Sequence, residues 1–209
     1  HLRDAVYQNL ILAECAADRL NGLFDKRDFR HLLLDYNGDG SEEIIVEDKH
    51  SSLYFAPHKG GSLIEWDSRP DACNISSVLM RRYEPYHEKI KIPALSASVA
   101  GAKTIHDIVK TKQDGLDEIL VYDWHEKLNF LDHFFHRSTT MDSFSKCRYG
   151  EQGNFILATY GWRIHEEKNQ NSRLKMFCSG NVWVDSDHCP VLVNKEFEFL
   201  KNGSLGVHY

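Results

Sequence analysis

The run Asp35-Tyr36-Asn37-Gly38-Asp39-Gly40-Ser41-Glu42-Glu43 sets oxygen-bearing side chains at alternate positions, with glycines that permit a sharp turn. A hard cation such as calcium takes six or more oxygen ligands. Asp35, Asn37, Asp39, the Ser41 carbonyl and Glu43 would supply most of them, and water the rest. The twelfth position of an EF-hand loop falls on Val46, so the run reads as a shortened loop and not as a helix-loop-helix sensor. Asn-Gly and Asp-Gly also shape hairpin turns without any metal. Residue types alone leave both readings open.

Other constellations discriminate less. His133 and His136 lie three apart, which would join them on a helix face but opposes them on a strand, so a zinc pair is not expected. Asp132 beside His133 resembles half of a nucleophilic triad, yet no serine or cysteine stands in a strand-turn-helix elbow to complete it. Glycoside hydrolysis needs two carboxylates held apart at a defined distance. With 31 acidic residues, some pair always satisfies a spacing rule, so that test says nothing. Trp66, Trp124, Trp162 and Trp183 are either sugar-stacking faces or core.

The elements that would position these groups are mostly strands. DFRHLLLD, NGDG and SEEIIVED read as one hairpin, and SLYFAPHK, Gly60-Gly61 and SLIEWDSR as a second. LDEILVYD, KLNFLDHFF, GNFILATYGWRI, RLKMFCSGNVWVD and CPVLVNKEFEFL are β-branched and aromatic runs between turn residues. NISSVLMRRYEPYHEKI reads as helical around Val78, Leu79 and Arg82 with a break near Glu84, because Pro85 lacks a donor. PALSASVAGAK reads as a loop and TIHDIVKTK as a short helix capped by Thr104. The fold class is therefore mainly β, with antiparallel sheet preceded by one helix.

Composition bounds the partners. The chain has 209 residues, enough for one large β domain, with 11% aromatic and 27% charged residues, which is globular. Its net charge of -6 with dispersed basic residues excludes a phosphate-backbone partner. Five scattered cysteines without a C-x-x-C pair fit a reducing cytoplasm. No apolar run approaches the ~20 residues a membrane helix needs. Glycosylation-type triplets at Asn74 and Asn202 carry no weight without a secretory segment.

The two ends read as cut. HLRDAVYQNLILAECAADRLNG places Leu2, Val6, Leu10, Ala13 and Ala17 on one helix face, and a lone amphipathic helix is only marginally stable. Residues 1–24 are therefore expected to be the last helix of an upstream bundle, and 25–209 a sandwich cut short at its far end. There FEFLKNGSLGVHY reads as a strand, an Asn-Gly turn and a further strand.

Taken together, the opening helix, D-x-N-x-DG, YFAPHKGGSLIEWDSRP, NISSVLMRRYEPYHEKI and TIHDIVKTKQDGLDEILVYDWHEKLNFLDHFF resemble the C-terminal part of alpha-amylases and 4-alpha-glucanotransferases of glycoside hydrolase family 57. The resemblance implies an enzyme in three parts. These are a β/α barrel carrying a nucleophilic glutamate and an acid aspartate, a helical bundle, and a β-super-sandwich of the galactose-mutarotase type. Only the last two would be represented here, and no catalytic residue is carried over. Asn37 stands where the family motif tends to have aspartate, which lowers the charge of the loop. The expected function is a sandwich that supports the absent barrel and contacts α-glucan or maltooligosaccharide through Trp124, Asp132 and His133. The competing readings are a free-standing mutarotase-like epimerase and a purely structural module.

Overall fold

The computed structural model describes residues 2–25, 27–77, 79–91, 115–165 and 171–209. The expected loop and capped helix at 93–112, and Val78, lie outside them. The opening segment forms α1 (Leu2–Leu20). It docks through Tyr7, Ile11 and Asp18, with Ile11 and Asp18 buried and Asp18 ion-paired to the buried Arg69. The apolar stripe of Leu2, Val6, Leu10, Ala13 and Ala17 points away and is exposed. Polar anchors, not that stripe, fix which side of the helix meets the sheet.

Both expected hairpins form. β1 (Arg30–Leu34), β2 (Glu43–Glu47), β3 (Ser51–Ala56), β4 (Ser62–Ser68) and β5 (Cys73–Asn74) make a five-stranded antiparallel meander in sequence order. β2 and β3 are buried along their whole length. Ile44, Val46, Leu53 and Phe55 enter the core, while Glu47, Ser52 and Tyr54 belong to the opposite face. The α1 residues Tyr7 and Asp18 reach that second face at Glu65 and Arg69.

The second sheet is β6 (Gly161–His165), β7 (Ser172–Val184), β8 (Asp187–Phe199) and β9 (Leu205–His208), also a meander in order. Period-two alternation is clean in β7, where Leu174, Met176 and Cys178 enter the core. The Asn202-Gly203 turn joins β8 to β9 with Gly203 at φ 82°, the left-handed conformation such turns use. The two sheets meet where Phe55 of β3 lies 4.8 Å from Phe197 and 6.0 Å from Phe199 of β8, ring centre to ring centre. Leu63, Phe155, Tyr160 and Leu174 complete the buried centre. The fold is thus an antiparallel β-sandwich led by one helix.

Three expected elements differ. LDEILVYD and KLNFLDHFF form no strand; residues 115–135 make an irregular strap that meets the first sheet at one isolated bridge, Leu63 with Asn129, and a later loop at another, Phe135 with Glu151. In the second run Phe130 and Phe134 pack on the core, whereas Ile119 of the first is exposed, and apolar residues without a partner strand give no ladder. In GNFILATYGWRI, β6 begins only at Gly161, because Phe155 and Tyr160 enter the core from turns. The described residues of 75–86 are not helical, and a short helix α2 (His87–Lys91) follows Pro85 instead. The backbone before it is pinned by Arg81, whose guanidinium and N–H both donate to Asp123. A further short helix, α3 (Met141–Ser145), is closed by a Thr140–Ser143 capping box.

Lys195 of β8 is charged yet buried in this interior. Its ammonium donates to the carbonyls of Gly60, Gly61 and Phe130 at 3.0, 3.0 and 2.7 Å and pairs with Asp132 at 2.8 Å. Burial pushes its pKa down, and the Asp132 carboxylate pulls it back up. Gly60 and Gly61 sit at φ 68° and 56°, so the turn that presents their carbonyls needs residues without a Cβ.

Candidate functional site

The β1–β2 turn brings Asp35, Asn37, Asp39 and Glu43 together, largely by bonds within the loop. Asp35 accepts from the N–H groups of Asp39 and Gly40, both at 3.0 Å, and Asn37 Oδ1 accepts from Asp39 N–H at 2.9 Å. Asp39 Oδ1 accepts from Ser41 N–H at 3.0 Å. The buried Glu43 accepts from Tyr36 N–H at 2.9 Å and from the Asn37 amide at 3.0 Å. These are the bonds of Asx turns, and they preform the loop.

Two residues of the β3–β4 turn complete the cluster, and sequence reasoning missed both. His58 Nε2 lies 3.3 Å from Asp39 Oδ2 and 3.7 Å from Glu43 Oε1, and the Lys59 ammonium lies 3.1 Å from Asp39 Oδ2. Asp39, Glu43 and His58 offer three ligand atoms within 4.8 Å of one another. The Lys59 ammonium holds the Asp39 carboxyl far below the usual carboxylate range. The donor set fits a divalent cation at Asp39 and Glu43 once Lys59 withdraws, because carboxylate oxygens accept a hydrogen bond and ligate together.

The second candidate region lies along the strap. Trp124 is 54% exposed and packs edge-on against His125 at 4.5 Å. His125 lies 5.3 Å from His133, which stacks on Phe135 at 4.9 Å with an 18° angle between the rings. His133 Nδ1 bonds Glu151 at 2.7 Å, and the other Glu151 oxygen accepts from Phe134 N–H, also at 2.7 Å. The buried His125 meets the Tyr149 hydroxyl at 3.0 Å; burial lowers the His125 pKa and pushes Tyr149 up to about 12. Both are uncharged at neutral pH.

Trp124 and His133 are therefore brought together, but Asp132 is not with them. Along extended backbone neighbouring side chains point to opposite sides, and Asp132 turns inward to Lys195 and the Tyr160 hydroxyl. The Arg81–Asp123 clamp draws together the two segments that carry a second aromatic group. There Tyr83 lies 5.7 Å from Tyr122, and Tyr86 4.5 Å from His87, with Tyr83 and Tyr86 more than half exposed. Tyr83, Tyr86, Tyr149 and Glu151 were not singled out from the sequence. They sit in segments without period, and the one available signal was the aromatic density of RRYEPYH.

The geometry defines an antiparallel β-sandwich module bearing an acidic turn and an aromatic surface. The chain belongs to the family described as alpha-amylase/4-alpha-glucanotransferase, C-terminal, whose model matches residues 35–209. It is 30% identical over 209 residues to a 4-alpha-glucanotransferase of Thermococcus litoralis, covering 98% of this chain and 29% of that protein. It is 33% identical over 170 residues to alpha-amylase 1 of Dictyoglomus thermophilum, covering 81% and 23% respectively. The crystal structure of the Thermococcus litoralis 4-alpha-glucanotransferase superposes with a TM-score of 0.72 at 28% identity, over 96% of this chain and 27% of that one. The chain thus spans about a quarter of the length of these relatives. The resemblance drawn from the motifs and the family match agree.

Proposed function

We propose that this chain serves in an enzyme acting on α-glucans, where the sandwich supports a catalytic barrel lying outside the chain and offers maltooligosaccharide a surface built on Trp124 and His133. The single observation that carries this is the half-exposed Trp124 ring packed on His125, which leads to the carboxylate-oriented imidazole of His133, in a chain of the alpha-amylase/4-alpha-glucanotransferase family. An aromatic face packs on the apolar face of a pyranose, and imidazole and phenol groups reach its hydroxyls. Asp132 acts from behind, fixing the strap through Lys195. Family membership favours this reading over a free-standing epimerase. In the full-length protein, Trp124→Ala should weaken maltoheptaose binding about tenfold, the loss of roughly 1.4 kcal/mol. Calorimetric titration reads this directly, and equal affinity in both proteins rejects the surface.

In this reading residues 1–24 end an upstream helical bundle, whose neighbouring helix covers the exposed stripe of α1. The site of action is the cytoplasm, in keeping with five free cysteines and with no described helix long and apolar enough to cross a membrane.

For the acidic turn, the proposed ligand is calcium, held by Asp39 and Glu43 with Asp35, Asn37 and the Ser41 carbonyl around it. Lys59 competes for the same place. Lys59→Ala should therefore tighten calcium binding about tenfold, as removal of one adjacent positive charge allows. If neither protein takes calcium in a titration, the turn is a hairpin device alone. If zinc binds in its place, His58 is the ligand that decides.

A further inference from the structure

The face of the first sheet that meets α1 holds an excess of acid. Glu65 and Asp67 stand two apart on β4, so both point to the same side, and both are buried. From α1 they are faced by Tyr7 and Glu14, from the β1–β2 turn by Tyr36, from β3 by Tyr54 and beyond β4 by Arg69, around which Cys15, Asp18 and Glu47 gather. The cations are committed elsewhere. Arg69 pairs with Asp18, contacts Glu47 at 3.9 Å and donates to Ser52 at 3.2 Å, and Arg30 pairs with Glu47 and Asp18. No cation among the described residues pairs with Glu65 or Asp67.

Their own contacts show how they coexist. Tyr7 and Tyr36 donate their hydroxyls to the two oxygens of Glu65, at 3.4 and 3.2 Å, as to an anion. Glu65 and Asp67 are like charges, buried on one face of β4 with no paired cation, and two such carboxylates do not both ionise without a large cost. Asp67 Oδ1 is buried with no partner at all, a tolerable place for the neutral end of a carboxylic acid and a poor one for half an anion.

We propose that Glu65 and Asp67 share a single proton, and that this proton fastens α1 to the sheet. Burial first, and then the negative charge of Glu65, pushes Asp67 up to about 8, and burial raises Glu65 as well. An acid raised in the folded state contributes stability that is fully present below its unfolded pKa, near 4, and is lost as pH rises through the folded value near 8. Above that, two adjacent anions lie under a helix that carries Glu14 over them. The helix then loosens while the sandwich core, which does not involve the pair, stays folded. The device is a pH-sensitive clasp at the junction between the helix and the sandwich.

The full-length protein and its Asp67→Asn variant test this. The wild type should show the infrared carbonyl band of a protonated carboxylic acid at pH 6, absent from the variant and lost above about pH 8. Hydrogen exchange of the α1 peptide, corrected for its intrinsic pH dependence, should report an opening equilibrium that rises by up to about tenfold per pH unit between pH 5 and 7.5. In Asp67→Asn that slope should vanish. Absence of the band from the wild type overturns the shared proton even if the variant fails to fold. The same pH slope in both proteins overturns the clasp.

Discussion

Lys195→Met should destabilise the sandwich by about 3–5 kcal/mol, the usual penalty for removing one partner of a buried ion pair. Methionine approximates the volume of the lysine stem, so packing changes little. Three carbonyls, of Gly60, Gly61 and Phe130, lose their donor, and Asp132 keeps its charge with the Tyr160 hydroxyl as remaining partner. Chemical denaturation followed by tryptophan fluorescence measures the change. The double variant Lys195→Met, Asp132→Leu should recover part of it, because apolar side chains of similar size often replace a buried pair without loss. A single-variant loss below about 1 kcal/mol would mean that the ammonium reaches water.

Phe55→Ala should cost a similar about 3–5 kcal/mol. Phe55 is fully buried, and its ring touches Phe197 and Phe199 of the opposite sheet at centre distances of 4.8 and 6.0 Å. Its removal leaves a cavity between two sheets that cannot close on it, since each is held by its own ladder. The control is Trp183→Ala, at a ring 45% exposed on the β7–β8 hairpin, where the change should be under about 1 kcal/mol. Equal losses at the two positions would contradict the placement of the core.

The hairpins were legible because they write their own grammar. β-branched alternation around Asn-Gly, Asp-Gly or Gly-Gly specifies both a strand pair and its turn, and the β1–β2, β3–β4 and β8–β9 pairs follow it. The strap at 115–135 reads as strand because its β-branched and aromatic residues match strand composition, though only part of it is buried. Phe130 and Phe134 fill the core from irregular backbone, and nothing in residue type distinguishes that from a ladder. The same limit applies to the sites. The oxygens at Asp35 to Glu43 could be read off a single run, whereas His58 and Lys59 arrive from the next hairpin turn and are invisible until the strands pair.

In SLIEWDSR a period of two sets Glu65 and Asp67 side by side on the face opposite Trp66, and a β-bulge beside Ile64 returns Leu63 to the core. An acidic face on a strand ordinarily means water. Here it is covered by α1, and sequence gives no sign of that cover, because the helix docks by Tyr7, Ile11 and Asp18 while its apolar stripe looks elsewhere.

The Lys195 ammonium has a kinetic meaning as well. Its acceptors come from the β3–β4 turn and from the strap, and the lysine itself from the second sheet. A partly assembled sandwich in which only one of these has arrived would hold a charge in apolar surroundings with too few acceptors, a state of high free energy. Such intermediates are sparsely populated, so the turn, the strap and the sheet must come together or separate in one step. A single atom thereby couples regions more than sixty residues apart into one cooperative unit.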